Sequence, residues 1–438
     1  MINLDDPRSK GVVAWLSRGA GPGVRAIEAA GAAQYRLVER EGVAAEPRFD
    51  VAVVDLRGAD PQRAVASDLL TEARRLSPAA GLMILASPDI DDRARAAFRR
   101  RGEICFVGQD ASPVIAAIRE RLRLAALVDE MGERIKSLVA DNRAASFAAL
   151  QQDKPTLSVL VAGAPSPLTL NASNAARAGK VETSCVFTAG QAMRALDHAR
   201  FDGAVFLPTD ENDLLFALAR ALRRHRDYRN IPVMIASRDE ALLERFLIRD
   251  GFETISAAHI DADLAIRLQQ SARRARMAAA VRAFLRSEDS LANGRDGAAG
   301  ARFFAHHAAR IFQRADISGE AVSLAAIGLP ATIEANARDA ALAQSIRTAG
   351  RILRAEDMIA RLSSNALIVM LRGVRQQDAR AVADRLEGVI GGSLPRALVA
   401  DGVASAAIQR HPGDDIEQTI AALLRALRGA SKAGGLAV

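Results

Sequence analysis

The stretch "FDVAVVDLRG", Phe49–Gly58, returns as "FDGAVFLPTD", Phe201–Asp210, at an offset of 201 − 49 = 152 residues. Each is a short apolar run behind a Phe-Asp pair, as expected of a strand in a parallel sheet covered on both faces. Two further pairs keep the same distance. "LMILAS" and "PVMIAS" end in Ala-Ser at Ser87 and Ser237, an offset of 237 − 87 = 150. "RRRGEICFV" and "LIRDGFETIS" place Gly102 and Gly251 alike, an offset of 251 − 102 = 149. Near-equal offsets predict a duplicated domain of about 120–130 residues plus a linker. Each copy alternates strands with helical stretches, "GVVAWLS" then "GPGVRAIEAAG", or "LSVLVAG" then "NASNAARAG". That alternation predicts a doubly wound α/β unit with a parallel sheet.

Between the copies runs "SPVIAAIRERLRLAALVDEMGERIKSLVADNRAASFAALQQ", with no Gly or Pro beyond Pro113 and Gly132. Its apolar residues recur at helical spacing, which predicts one long helix or two in line. "DADLAIRLQQSARRARMAAAVRAFLRSED" after the second copy reads the same way. Such helices either stack across a dimer or pack on their own domain. The Gly-rich break "DSLANGRDGAAG", Asp289–Gly300, opens a third domain with strands expected in "AVSLAAIGL", "ALIVML" and "ALVADGVASA". The boundaries read as 1–125, a helical linker 126–154, 155–285, and 286–438.

Composition removes several classes of function. A chain of 438 residues exceeds a single hydrophobic core. No apolar run is long enough to span a membrane, and the N-terminus lacks an apolar signal core, so a cytoplasmic location is expected. Cys105 and Cys185 have no motif partners and read as ordinary thiols. The net charge of +7 invites nucleic acid, but only five of the 59 basic residues are lysines, and acids are interspersed among them. One Trp and two Tyr make a poor base-stacking platform. No helix-turn-helix follows the copies, so DNA binding is not expected.

The third domain carries the informative motif. In "RILRAEDMIARLSSNALIVML", Arg351–Leu371, a charged cluster precedes a polar turn and a buried-strand run. Arg354 and Asp357 fall on an RxxD spacing. With the duplicated α/β copies and helical linker, this register resembles the PleD group of bacterial regulators: two tandem CheY-like (flavodoxin-like) receiver domains, then a GGDEF domain of the nucleotidyl-cyclase-like α/β class. Ser363, Ser364, Asn365, Ala366 and Leu367 then stand on G-G-D-E-F, and Arg385 stands where the group has a supporting arginine.

The resemblance implies a degenerate member. Diguanylate cyclases need turn glycines for close approach of backbone to substrate, and acids to hold a divalent cation on the phosphates. Here serines replace the glycines, and Asn365 and Ala366 replace the acids. The strand position for the metal aspartate, around Ala326 with Gly328 after it, has no carboxylate until Glu334. In the C-terminal signature, Lys432 sits one place off the group's lysine and Gly435 replaces its arginine. No catalysis is expected and Mg²⁺ is not expected as a cofactor.

The RxxD motif is the group's inhibitory site for cyclic di-GMP. A guanidinium fork suits guanine O6/N7 or phosphate, and a carboxylate three residues on suits the guanine N–H edge. Cyclic di-GMP is therefore the expected ligand at Arg354, Asp357 and Arg385, with Arg310 and Arg314 as weaker candidates for a third arm. The competing interpretation of Arg354–Asp357 is a surface ion pair worth about 0.2–0.5 kcal/mol.

In the first copy Asp55 takes the phospho-acceptor position of a receiver, and Ala86 or Ser87 the hydroxyl position. Acids after the first strand and a lysine after the fifth are missing, and Asp5 and Asp6 precede that strand. In the second copy Leu207 replaces the acceptor, which implies an adaptor. Degenerate members of the group further imply a homodimer through the receivers, a phosphorelay and cell-cycle setting, and recruitment to a cell pole with protein partners in regulated proteolysis. The alternatives are a residual cyclase and a nucleotide-independent scaffold.

Overall fold

The computed structural model describes residues 11–16, 35–40, 51–57, 68–76, 82–86, 90, 93–94, 97–98, 104–107, 112–143, 156–225, 228, 230–243, 245, 252–292, 294, 296–330, 333–398 and 402–430. Asp5, Asp6, the stretch 21–31, Ser87, Gly102, Gly251, Lys432 and Gly435 lie outside the described residues.

The first sheet contains β1 (Gly11–Leu16), β2 (Tyr35–Arg40), β3 (Val51–Asp55), β4 (Leu82–Ala86) and β5 (Ile104–Val107). All pairings are parallel, in the order β2-β1-β3-β4-β5. Alternate residues enter two cores. Val13, Trp15, Val51, Val53, Met83 and Leu85 face one. Leu16, Ala52, Val54, Ile84 and Ala86 face the other, with Leu70 and Ala73 of helix α1 (Asp68–Leu76). Burial on both faces is why these strands read as unbroken apolar runs.

The second sheet contains β6 (Leu157–Gly163), β7 (Val181–Val186), β8 (Gly203–Leu207), β9 (Val233–Ser237) and β10 (Glu253–Ser256). Its order, β10-β9-β8-β6-β7, is that of the first sheet read from the other side. Counted within each copy both are 2-1-3-4-5, the flavodoxin-like doubly wound order. The repeated segments thus occupy the same places: β3 and β8 are the central strands, and β4 and β9 follow them. Helices α3 (Pro167–Ala178), α4 (Ala189–His198) and α5 (Leu214–Arg224) belong to this copy. Their starts are locally encoded. Ser166 accepts from the Thr169 N–H with Pro167 behind it, and Asp213 accepts from the Leu215 N–H.

The helix expected between the copies is α2 (Ser112–Ala140), a single helix that begins within the first copy. The helix after the second copy is α6 (Ile260–Leu285). The chain divides into two compact units. One is drawn from Gly11–Ala125 and Gln152–Ala279, the other includes Ala126–Gln151 and Ala280–Val438.

In the second unit, α7 (Ala301–Ser318), α8 (Ala335–Ile352), α9 (Gln376–Ser393) and α10 (Ile416–Ala430) accompany a four-stranded antiparallel sheet. Its strands are β11 (Val322–Gly328), β12 (Met358–Arg361), β13 (Ala366–Arg372) and β14 (Ala404–Gln409), in the order β12-β13-β11-β14. Of "ALVADGVASA", Ala404–Ala406 lie in β14, Ala397 and Leu398 belong to a 3-10 turn, and residues 399–401 lie outside the described residues; Gly402 has φ +83, a backbone conformation that favours glycine. The mixed α/β class, with parallel sheets in the copies, is as the sequence predicts.

Candidate functional site

Four polar clusters mark the molecule. Three lie in the unit that contains the antiparallel sheet.

The first is the loop between α8 and β12. The Asp357 Oδ2 accepts from the Arg354 backbone N–H at 3.0 Å, and the Asp357 N–H donates to the Arg354 carbonyl at 3.3 Å. The RxxD spacing therefore closes a turn on itself. Asp357 is 7% exposed. The Arg354 guanidinium is more open, with a side chain 24% exposed and Nη1 4.0 Å from Glu356 Oε1. Arg385 lies half-buried on α9, and its guanidinium makes no hydrogen bond or ion pair among the described residues. Arg354 and Asp357 are thus joined by the fold, whereas no bond ties Arg385 to them.

The second is the β12–β13 hairpin, whose turn holds Ser363, Ser364 and Asn365. The Ser363 hydroxyl donates to Asn365 Oδ1 at 2.8 Å. Asn365 Nδ2 donates to the Leu329 carbonyl at 3.2 Å, and the Leu329 N–H donates to the Asn365 carbonyl at 2.7 Å. Asn365 is buried, and Ala366 and Leu367 are fully so. Neither serine has positive φ, so this turn does not require glycine. Across the sheet Ala326 pairs with Ile368 and Gly328 with Ala366, so neither of these strand positions carries a carboxylate. A divalent cation needs several oxygen ligands. The one carboxamide here is already engaged, so these residues do not fit a metal. Among the described residues no group of three or more His, Cys, Asp or Glu is arranged to hold one.

Arg361, at the mouth of this hairpin, was not singled out by sequence. Its guanidinium bonds Asp296 at 2.8 Å and also Asp339, while Arg347 reaches Asp296 at 3.2 Å. Burial works against the Arg361 charge, but its two carboxylate partners outweigh that and hold its pKa above the ordinary value.

The third cluster is sealed. Glu130, Arg134, Ser137 and His307 are all fully buried. Glu130 Oε1 accepts from Arg134 Nε at 3.1 Å and Nη2 at 2.7 Å, and lies 3.2 Å from His307 Nε2. Its other oxygen accepts from Arg372 Nη1 at 3.0 Å. Arg372 also bonds Asp129 and Glu320, and Arg134 donates to the Leu285 carbonyl at 2.8 Å. Burial alone would raise the Glu130 pKa. The charges of Arg134 and Arg372, with the hydrogen bond to His307, overcome it and hold the carboxyl well below its usual range. Arg310 and Arg314, weighed above as a third ligand arm, are committed here instead. Arg314 pairs with Asp129 at 2.8 Å and Glu133 at 3.2 Å, and Arg310 lies 3.6 Å from Glu133. The only sequence hint was the i,i+4 spacing of Glu130 and Arg134. Spacing does not say which face is buried.

The fourth cluster is in the first copy. Asp55 ends β3 at 8% exposure. Arg57, two residues on, grips it through Nε to Oδ1 at 2.9 Å, Nη2 to Oδ2 at 2.6 Å and its backbone N–H at 3.1 Å. A bidentate guanidinium thus occupies the carboxylate. Leu207 ends β8 in the equivalent place, buried, opposite Gly163.

No protein-family model matches the chain, and no curated protein matches it. Among solved structures it is similar in part to a DGC protein from Thermotoga maritima, at 19% identity, over 29% of this chain and 94% of that one, with a TM-score of 0.25. A sensory box/GGDEF family protein from Caulobacter crescentus is 25% identical over 31% of this chain and 93% of that one, with a TM-score of 0.27. The GGDEF domain of DgcB from Caulobacter crescentus, in complex with c-di-GMP, is 16% identical over 32% of this chain and 88% of that one, with a TM-score of 0.27. No helix among the described residues is long and apolar enough to cross a membrane.

Proposed function

We propose that this protein is a non-catalytic receptor for cyclic di-GMP, of the receiver–receiver–GGDEF kind. Arg354 reads the ligand from the α8–β12 loop, and Arg385 supplies a second cation. The observation that carries this reading is the contrast within one stretch. The Ser363–Asn365 turn is satisfied internally and has nothing to offer a metal or a triphosphate. The Arg354 guanidinium, ten residues upstream of Ser364, stays partly open on a loop that Asp357 braces.

A ligand with two phosphates and two guanines needs planar cationic forks, and Arg354 and Arg385 are two. Asp357 serves first as the brace of the loop, and in this reading its carboxylate also accepts from the guanine N–H edge. Binding changes which surfaces the α/β copies present to partner proteins. Resemblance to the degenerate paralogue PopA supports placing those partners at a cell pole in regulated proteolysis, with the chain acting as a homodimer. Asp55 is then an arginine-locked remnant of a phospho-acceptor, and the second copy is an adaptor.

One observation favours a second reading. The inward turn of Asp357 is what a nucleotide-independent scaffold would also show. Calorimetry of cyclic di-GMP against the full chain and Arg354→Ala separates the two. Binding by the wild type that Arg354→Ala removes supports the receptor. No heat at roughly tens of micromolar, about −6 kcal/mol, refutes it. Turnover of GTP with Mg²⁺ or Mn²⁺ would instead revive the cyclase.

A further inference from the structure

The face that carries Arg354 and Arg385 is short of positive charge for the ligand proposed for it. Arg354 lies beside Glu356, with Asp357 next in the chain, and Arg385 adds one cation. Two arginines against two carboxylates leave no net charge. Two phosphodiesters bring two negative charges, and a polyanion is drawn to a surplus of cations rather than to a neutral face.

The sheet fixes which residues lie next to this pair. β11 and β12 both pair antiparallel with β13, so they run the same way, and α8 returns the chain between them. β14 is also antiparallel to β11, so α9, which joins β13 to β14, runs against α8. The two helices share one core and meet where the Thr348 and Ser393 hydroxyls approach to 3.4 Å. From that point one turn forward on α8 is Arg351, and one turn back on α9 is Val389. A further turn brings the Arg354 loop level with Arg385. Helical residues four apart share a face, so Val389 and Arg385 stay on the side of α9 that Ser393 turns toward α8.

The packing of the unit does not account for the two residues at the middle level. Val389 is 42% exposed, although Leu386 and Ile390 beside it on α9 are fully buried. Arg351 is exposed, and its guanidinium makes no hydrogen bond or ion pair among the described residues. Arg347, one turn earlier on the same side of α8, is committed to Asp296. Arg310 and Arg314 are likewise committed, to Glu133 and Asp129.

We propose, on the basis of the ligand reading above, that Arg351 is the third cation of the cyclic di-GMP site and that Val389 is the apolar seat for one guanine. Val389 has Arg351 across the helix pair and Arg385 one turn along its own helix. A guanine has a flat face and polar edges, which suits an aliphatic surface rimmed by guanidinium forks. Arg351 leaves the face one positive charge in surplus, and its fork can take a phosphate bidentately.

Calorimetry of cyclic di-GMP against the full chain tests this, with melting temperatures measured in parallel. Arg351→Ala should weaken binding about tenfold and leave the melting temperature unchanged. It should also flatten the fall of affinity with added salt, because one attraction fewer is screened. Arg351→Lys, which keeps the charge and loses the fork, should fall between the two. Val389→Glu should weaken binding at least about tenfold, and Val389→Ile should keep it. Arg347→Ala, which removes a cation already paired with Asp296, should bind like the wild type. Wild-type binding that Arg354→Ala removes and Arg351→Ala leaves intact overturns the third-cation role and spares the ligand reading. Equal losses from Arg351→Ala and Arg347→Ala overturn it too, because they report only general surface charge. Normal binding by Val389→Glu removes the guanine seat. A wild type that does not bind refutes the ligand reading itself, and this proposal with it.

Discussion

Glu130 and Arg354 belong to two clusters of the same chemistry in one unit, and they do opposite things. Glu130, Arg134 and His307 are removed from water, and Glu130 meets each of its partners within 3.2 Å. Around Arg354 a carboxylate braces the backbone and the arginine side chain is 24% exposed. A buried charge must be fully paired because its desolvation is large, and removing one partner costs more than the pair contributes. A partly exposed cation bears no such constraint. The difference between structure and recognition here is burial.

That contrast can be broken at either end. The largest effect is expected from Glu130→Ala, which leaves Arg134 and Arg372 facing each other without their shared carboxylate. It should cost about 3–5 kcal/mol, read by chemical denaturation of the full chain. A loss below about 1 kcal/mol, the scale of a surface pair, would show that the cluster is not sealed in solution.

Acid should attack the same point. The folded Glu130 pKa is depressed, so its contribution is whole above the ordinary value of 4.5 and fades as pH falls below it toward the folded pKa. Denaturation curves at decreasing pH should show stability lost in that window in the wild type. Glu130→Gln, which carries no charge to lose, should show a flatter profile.

At the open end the effects are smaller and of another kind. Arg354→Ala should lower cyclic di-GMP affinity by about 10–100-fold, the worth of charge-assisted hydrogen bonds, and leave the denaturation midpoint unchanged. A drop in stability instead would make Arg354 structural. Asp357→Ala should cost about 1 kcal/mol through the lost brace. Asp357→Asn keeps a carbonyl for the Arg354 N–H and should restore most of that stability, but not the guanine contact. Equal binding by Asp357→Asn and wild type would confine Asp357 to bracing.

The legible part of the fold was local and periodic. The recurrence of "FDVAVVD" as "FDGAVFL" marked β3 and β8 because both are central strands buried on two faces, which forces apolar runs. Asp55 and Leu207 were placed at the ends of those strands for the same reason. The hairpin about Ser363–Asn365 was legible from a polar break between two apolar runs.

What sequence alone determined is the architecture of the copies and the emptiness of the turn, since strand periodicity and the absence of a carboxylate are properties of neighbouring residues. Only the tertiary structure decided which charges are used. Arg372 meets Glu130 across 242 residues, Arg57 turns back onto Asp55, and α2 buries Glu130 and Glu133. Helical spacing fixes which residues share a face. Which face meets protein depends on groups far away in the chain, and that the order of residues does not contain.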